Sequence, residues 1–365
     1  MSTSPYQPIF ELSRGNIPES VHFGALAVVD SRGNLVAHYG DPYAVTYLRS
    51  SAKPFQAMPF LEHGGQAAFD LTPKEIALIC SSHSGTDVHY AAVKALQAKT
   101  GVKESDLLCG THELSYKPTV EAMRARNEPL TPNRHNCSGK HTGMLAYTLL
   151  KKISLEERPN NPTYINPNHP IQKEILQTFA EMCSLEPSQI NVGIDGCSVP
   201  TFAVPLFNAA LAYAKLCDPS ALGQARAGVC RIINAAMTSN PLMIGGPDSF
   251  DTDIMECTAG RILCKGGSEG YQALAIQPGV LGAGSPGMGI IIKISDGDLA
   301  PHSRPSGVSQ GHARPAVVLE VLRQLGALTS IEMETLADYG PSFPIHNWRN
   351  LDVGRGTPVF SLSKD

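Results

Sequence analysis

With 365 residues, 42% of them hydrophobic and 17% charged, the chain has the length and composition to bury a full core, as one large domain or two. A net charge of −4 without blocks of like charge argues against nucleic acid or an anionic membrane as a partner and fits a small soluble substrate. No secretory apolar stretch follows a basic start, no apolar run is long enough to span a bilayer, and nine scattered cysteines follow no disulfide framework, so a cytoplasmic protein with reduced thiols acting as small hydrophobes is expected.

After a polar leader, Phe23 to Val29 and Leu35 to Tyr39 flank the turn-like Asp30 to Asn34 and predict a hairpin. Thr72 with Pro73 marks a helix start, and Thr86 to Thr100 reads as a helix closed by Gly101. Helical spacing continues near Met144 to Lys152, Ile171 to Cys183, Thr201 to Cys217 and Ala221 to Met237, interrupted by a surface loop over Glu156 to Pro170 with its four Asn and four Pro. Strand character returns in Gly260 to Lys265, Tyr271 to Gln277 and Gly287 to Ile294, before a helix from about Pro315 to Leu325. Strands at both ends with helices between them predict an α+β fold: an antiparallel sheet built from N- and C-terminal strands, flanked by helices, with a helical lobe and a cleft where the two meet. The expected organisation is a single domain over 1–365 with two lobes, a sheet lobe at about 20–50 and 258–365 and a mainly helical lobe at about 51–257.

Four stretches carry candidate chemistry. In Arg49-Ser50-Ser51-Ala52-Lys53, only Ser50 stands three residues before the lysine, which places both side chains on one face if the segment opens a helix. A serine hydroxyl needs a base to become a nucleophile, and a lysine amine serves when burial or nearby cations lower its pKa. The same spacing also fits an exposed helix turn, and Pro54 disfavours helical dihedrals at Lys53. Ser81-Ser82-His83-Ser84-Gly85 follows an apolar run, either as a polar cluster facing a cleft or as a cap for the next helix. Lys265-Gly266-Gly267-Ser268 ends a predicted strand, where two glycines allow a substrate close to the backbone or simply make a turn. Taken in order, the three repeat the S-x-x-K, S-D-N and K-T-G arrangement of serine hydrolases. The fourth stretch, His135 to His141, pairs with Asp195 to Pro200; Cys and His at this density can bind zinc, yet neither has a CxxC or HExxH spacing, and ordinary buried thiols fit as well.

Five blocks, Arg49 to Gln56 (RSSAKPFQ), Ser81 to Gly85 (SSHSG), Asn136 to Met144 (NCSGKHTGM), Asp195 to Thr201 (DGCSVPT) and Lys265 to Gly267 (KGG), resemble the signature blocks of rhizobial-type L-asparaginases. The resemblance implies a serine β-lactamase-like and glutaminase-like fold, hydrolysis of L-asparagine to L-aspartate and ammonia, and a homodimer. It implies tandem Ser-Lys pairs, Ser50 with Lys53 and Ser82 with Lys265, and a zinc ion held by Cys137, Lys140 and Cys197. Arg49, His83, Asn136, His141 and Asp195 lie in or beside the matched blocks and are expected to touch substrate or support residues that do. The implied mechanism has Ser50 attack the side-chain amide with Lys53 taking its proton and Ser82 and Lys265 relaying protons; backbone N–H groups at Ser50 and near Ser268 are candidate oxyanion donors. A glutaminase, a penicillin-recognising serine hydrolase and a non-enzymatic zinc-binding module remain as alternatives.

Overall fold

A computed structural model describes residues 4–299 and 311–364. The strands are β1 (Gln7–Arg14), β2 (Ile17–Asp30), β3 (Leu35–Tyr39), β4 (Val45–Tyr47), β5 (Asn191–Ile194), β6 (Pro200–Pro205), β7 (Ile262–Gly267), β8 (Tyr271–Ile276), β9 (Met288–Ile294), β10 (Phe343–His346), β11 (Asp352–Pro358) and β12 (Ser363–Lys364). The main sheet runs β10-β11-β1-β2-β9-β8-β7, with β3 also on β2 and β12 on β3, and its pairings are antiparallel. As expected, both chain ends build it. The long β2 makes this possible, since its first half pairs with β1 and its second half with β3 on one edge, while Gly24 to Asp30 pair with Ile294 to Met288 on the other.

Strands β8 and β9 are buried at each residue, so both faces of the sheet centre are covered. Helix α1 (Leu206–Cys217) packs on β2, β8 and β9, and α2 (Ala313–Leu325) packs on β1, β8, β9 and β11. The approach of α1 is close enough to require glycine at 289, where a Cβ would stand 1.8 Å from the Ala210 carbonyl oxygen.

Between the N- and C-terminal strands the chain is mostly helical, as in Lys53–Glu62, Pro73–Ile79, Asp87–Thr100, Ser138–Leu150, Pro170–Cys183, Gln224–Ser239 and Phe250–Cys257. Thr72 caps the second of these in a reciprocal box with Glu75, and Gly101, at φ 75°, closes the third. A small sheet, β4-β6-β5, lies among them. Three sequence expectations change. The polar leader contains strand β1. The helix expected over Thr201 to Cys217 is strand β6 as far as Pro205 and α1 from Leu206, because a proline inside a helix removes a hydrogen bond and clashes with the preceding turn. Strands β10 to β12 were absent from the expected elements; their polar and glycine-containing segments have weak alternation. Among the described residues, no helix is long and apolar enough to cross a membrane. All nine cysteines are free thiols, eight of them buried.

Candidate active site

The candidate nucleophile sits on a short, tight turn. Residues Arg49–Ala52 form one 3₁₀ turn that runs directly into the helix Lys53–Glu62, with Pro54 in its first turn, where the missing N–H costs little. Arg49 holds φ 52°, a left-handed conformation unfavourable for a residue with a Cβ, and its guanidinium is tied by Nε to Asp195 Oδ1 at 2.6 Å. The buried neighbour Ser51 is structural: its hydroxyl donates to the Lys265 carbonyl at 2.8 Å and its carbonyl accepts from Tyr213 Oη at 2.7 Å. Gly267 completes the junction, since a Cβ there would lie 2.5 Å from the Leu48 carbonyl oxygen and 3.2 Å from Ser51 Oγ. The glycine in the KGG strand therefore admits the serine turn itself.

Two buried lysines meet on one hydroxyl. Lys53 Nζ lies 2.8 Å from Ser82 Oγ, 2.5 Å from the Ser81 carbonyl oxygen and 3.4 Å from that of Asn136. Lys265, on β7 opposite Ala273, places Nζ 2.9 Å from the same Ser82 Oγ and 2.7 Å from the Gly266 carbonyl oxygen. Burial pushes the Lys265 ammonium down to about 8, against the pull of Asp251, whose carboxylate lies 4.0 Å away. Ser50, Ser82, His83, Asn136, Lys265 and Ser268 all line one cleft of about 490 Å³, and the buried Lys53 is joined to that lining through its bond to Ser82. Ser50 is not among the hydrogen-bond partners of Lys53.

His83 lines the cleft with both ring nitrogens committed. Nδ1 accepts the Gly85 N–H, and Nε2 donates to Ser138 Oγ, whose own proton goes to the Asn133 carbonyl. Burial holds this imidazole well below the usual histidine range, which keeps it neutral. His141 is likewise buried and low, and accepts at Nδ1 from Tyr164 Oη. Burial alone would raise the Asp195 carboxyl, but Lys140 and Arg49 hold it below the ordinary aspartate value.

The three residues expected to bind zinc converge away from the cleft lining. Lys140 Nζ lies 2.9 Å from Cys197 Sγ, which in turn lies 3.3 Å from Asp195 Oδ2 and hydrogen-bonds Cys137. That bond and the nearby Lys140 charge hold the Cys137 thiol well below its usual range, while Cys197 is held up as the donor of the pair. Among the described residues no group of three or more His, Cys, Asp or Glu side chains is arranged to hold a metal ion. The donor set of two buried sulfurs and one amine nonetheless fits a soft, zinc-type ion, once Lys140, now held above its ordinary pKa by the two sulfurs despite burial, gives up its proton.

Sequence reasoning missed several cleft residues. His112 accepts the Asn136 N–H at Nε2 (2.9 Å) and turns its Nδ1 to the Glu113 carbonyl. Arg314 donates to the Gly267 and Tyr271 carbonyls and pins the turn end of the β7–β8 hairpin. Asp251 accepts the Gly266 N–H at 2.6 Å and the Gln272 amide at 2.9 Å. None sits in a motif, and only the fold brings Arg314 and Asp251 to the KGG strand and His112 to Asn136.

No curated protein matches the chain. It is similar in structure to a Bacillus glutaminase, with 13% identity over 83% of this chain and 91% of that one and a TM-score of 0.36. It is similar to a probable Bacillus subtilis glutaminase complexed with 6-diazo-5-oxo-L-norleucine, at 13% identity over 83% and 84% and a TM-score of 0.38. A covalent complex of a Bacillus subtilis glutaminase with 5-oxo-L-norleucine gives 14% identity over 84% and 89%, with a TM-score of 0.38. The sequence model of L-asparaginase II matches residues 10–358, which takes in the serine turn, both lysines and the converging thiols, and the chain therefore belongs to the L-asparaginase II family, amidohydrolases of the asparaginase and glutaminase kind.

Proposed function

We propose that the chain hydrolyses the side-chain amide of L-asparagine through Ser50, with two lysines dividing the proton work. The observation that carries this reading is the shared hydroxyl of Ser82, 2.8 Å from Lys53 Nζ and 2.9 Å from Lys265 Nζ, in the cleft that Ser50 lines. The Ser82 oxygen has lone pairs to accept from both amines, and for proton transfer through it we take Lys53 as the neutral amine and Lys265 as the ammonium. A neutral Lys53 amine has two N–H donors for the Ser81 and Asn136 carbonyls and one lone pair for the Ser82 proton; an ammonium at Lys265 donates to Gly266 and to Ser82 Oγ.

In the first half-reaction Ser50 Oγ bonds to the amide carbon and Lys53 takes its proton on substrate binding. As the C–N bond breaks, Ser82 passes its proton to the departing nitrogen and is resupplied by Lys265, so that ammonia leaves. In the second, water attacks the aspartyl ester, losing a proton through Ser82 to the now neutral Lys265, while Lys53 returns its proton to Ser50. Both lysines end as they began. Cys137, Lys140 and Cys197 would hold zinc, which when bound supplies a fixed positive charge beside the site; Asp195, bonded to both Cys197 and Arg49, links those ligands to the serine turn.

The test is turnover of asparagine, glutamine and a chromogenic β-lactam by the wild type and by Ser50→Ala. Asparagine hydrolysis lost in Ser50→Ala supports the reading, and retained turnover in that variant rejects Ser50 as nucleophile. Glutamine hydrolysis within about a hundredfold of asparagine would make the substrate class broader, since one methylene is worth only about 1 to 3 kcal/mol.

A further inference from the structure

Around the shared Ser82 hydroxyl, nothing in the Ser-Lys spacing says which lysine starts as the acid. The two are not equivalent in their surroundings. Lys53 faces carbonyl oxygens, those of Ser81 and Asn136, and among the described residues no carboxylate is bonded to it. Lys265 has a carboxylate 4.0 Å from its ammonium, that of Asp251, which is itself 9% exposed, lines the cleft and belongs to no sequence motif.

Asp251 is held from several sides. It stands in the first turn of the helix Phe250–Cys257, where a negative charge is favoured, and its Oδ2 accepts the Gly266 N–H at 2.6 Å. Its Oδ1 accepts the Gln272 amide at 2.9 Å and lies 3.5 Å from Cys264 Sγ. Gly266 is the residue after the lysine, and a Cβ there would stand 3.3 Å from Asp251 Oδ2, so the strand is glycine where the carboxylate reaches across it. The carboxylate therefore fixes the backbone that carries Lys265 and sets a charge beside its amine.

We propose that Asp251 is a positioning residue that keeps Lys265 as the ammonium of the Lys53–Ser82–Lys265 chain and so sets the direction in which protons travel through Ser82. With Lys265 charged, Ser82 must turn its own proton away from it, toward Lys53 at rest and toward the departing nitrogen in the first half-reaction. Without that charge both amines would compete for one hydroxyl proton, and the leaving group would have no acid. The groups facing Lys265 are Asp251, which favours its charged form, and Arg314, which opposes it, as Lys53 does whenever it carries its own proton; the Cys137 thiolate also favours the charge, and the buried thiols of Cys80 and Cys264 are held up in their neutral forms. Asp251 is the carboxylate among them.

This inference rests on the proposed Ser50 mechanism, and one pH series separates the two. The alkaline limb of kcat/KM for asparagine should report loss of the Lys265 proton in the free enzyme. Asp251→Asn removes the charge and keeps an acceptor for Gly266, so the limb should move to lower pH by about one unit or more, leaving kcat/KM roughly tenfold lower on the alkaline side. Asp251→Glu keeps the charge and should keep the limb. Gln272→Ala, which loosens Asp251 without touching a charge, should lower the unfolding temperature and leave the limb in place. If Asp251→Asn does not fold, Asp251→Ser offers a smaller neutral replacement for the same measurement. An unshifted limb in a folded neutral variant, with wild type active and Ser50→Ala dead, overturns the role of Asp251 alone. A wild type inactive on asparagine and glutamine, or an active Ser50→Ala, overturns the mechanism beneath it.

Discussion

Gly267→Ala should uncouple the KGG strand from the nucleophile turn. The added Cβ would lie 2.5 Å from the Leu48 carbonyl oxygen and 3.2 Å from Ser51 Oγ. The first contact is with backbone, so relief requires β7 and the turn to separate by about 0.9 Å, from 2.5 Å to the 3.4 Å of an ordinary contact. Gly267 does not need a left-handed φ, which leaves contact as the cause of any effect. Overpacking of this kind costs about 1 to 3 kcal/mol of stability. The catalytic cost should be larger in proportion: a displacement approaching 1 Å between reacting groups is worth about a hundredfold in rate. Gly266→Ala is the graded comparison, because its Cβ would meet the movable tip of Arg314 at 3.1 Å and Asp251 at 3.3 Å. Gly228→Ala is the control, lying in the helix Gln224–Ser239 with nothing within 4 Å, and it should stabilise by roughly 0.5 to 1 kcal/mol. Measured by kcat/KM for asparagine alongside thermal unfolding, the loss should fall in the order Gly267→Ala, Gly266→Ala, Gly228→Ala. A folded Gly267→Ala enzyme with wild-type kcat/KM would refute the claim that this contact holds the serine turn in place.

Ser82→Ala should keep the fold and lower kcat by about a hundredfold or more, because both lysines lose their common partner; steady-state kinetics with circular dichroism as the folding check decides it. Zinc added to metal-free protein should raise the unfolding temperature, and Cys137→Ser should erase the rise; chelation should weaken asparagine binding more than it lowers the maximal rate. Asp195 has its carboxyl held below the ordinary 3.8, so it contributes stability that is fully present above that pH and lost as the pH falls through its lower folded value; acid unfolding followed by fluorescence should show Asp195→Asn losing part of that pH dependence. Thr72→Ala should cost about 1 kcal/mol through its capping box, read by denaturant titration.

Much of this site was legible because its chemistry is local. Ser50 and Lys53 stand on the helix-opening turn that their spacing allows, although Ser50 does not bond Lys53, and the Ser81–Gly85 cluster and Lys265 follow apolar runs that mark their elements. The strands β7 to β9 were equally plain, since each carries a short apolar run, Ile262 to Cys264, Ala273 to Ile276 and Ile290 to Ile292, bounded by turn residues. What was hidden depends on distance along the chain. Asp251 reaches Gly266 across 15 residues and Arg314 reaches Gly267 across 47, contacts that no window can register. Strand β1, with exposed residues at both ends and mixed burial between, is a strand because β2 and β11 flank it. Pro205 is a visible signal against a helix running from Thr201, since proline disfavours a helix interior and the helix begins only at Leu206.

The placement of β1 between β2 and β11 has a consequence for synthesis. Phe10 pairs with both His22 and Pro358, and Ser13 Oγ bonds the Arg355 carbonyl 342 residues away. On the ribosome β1 and β2 emerge together, yet one edge of β1 has no partner until β11 has been made. The helices from Lys53 to Cys257 can condense in the meantime, because their contacts close earlier in the chain. Long-range pairing of this kind folds slowly, and an open edge recruits other strands. Nascent chains stalled before residue 343 should therefore expose β1 as a template for association, and emergence of β11 should be the event that ends that exposure.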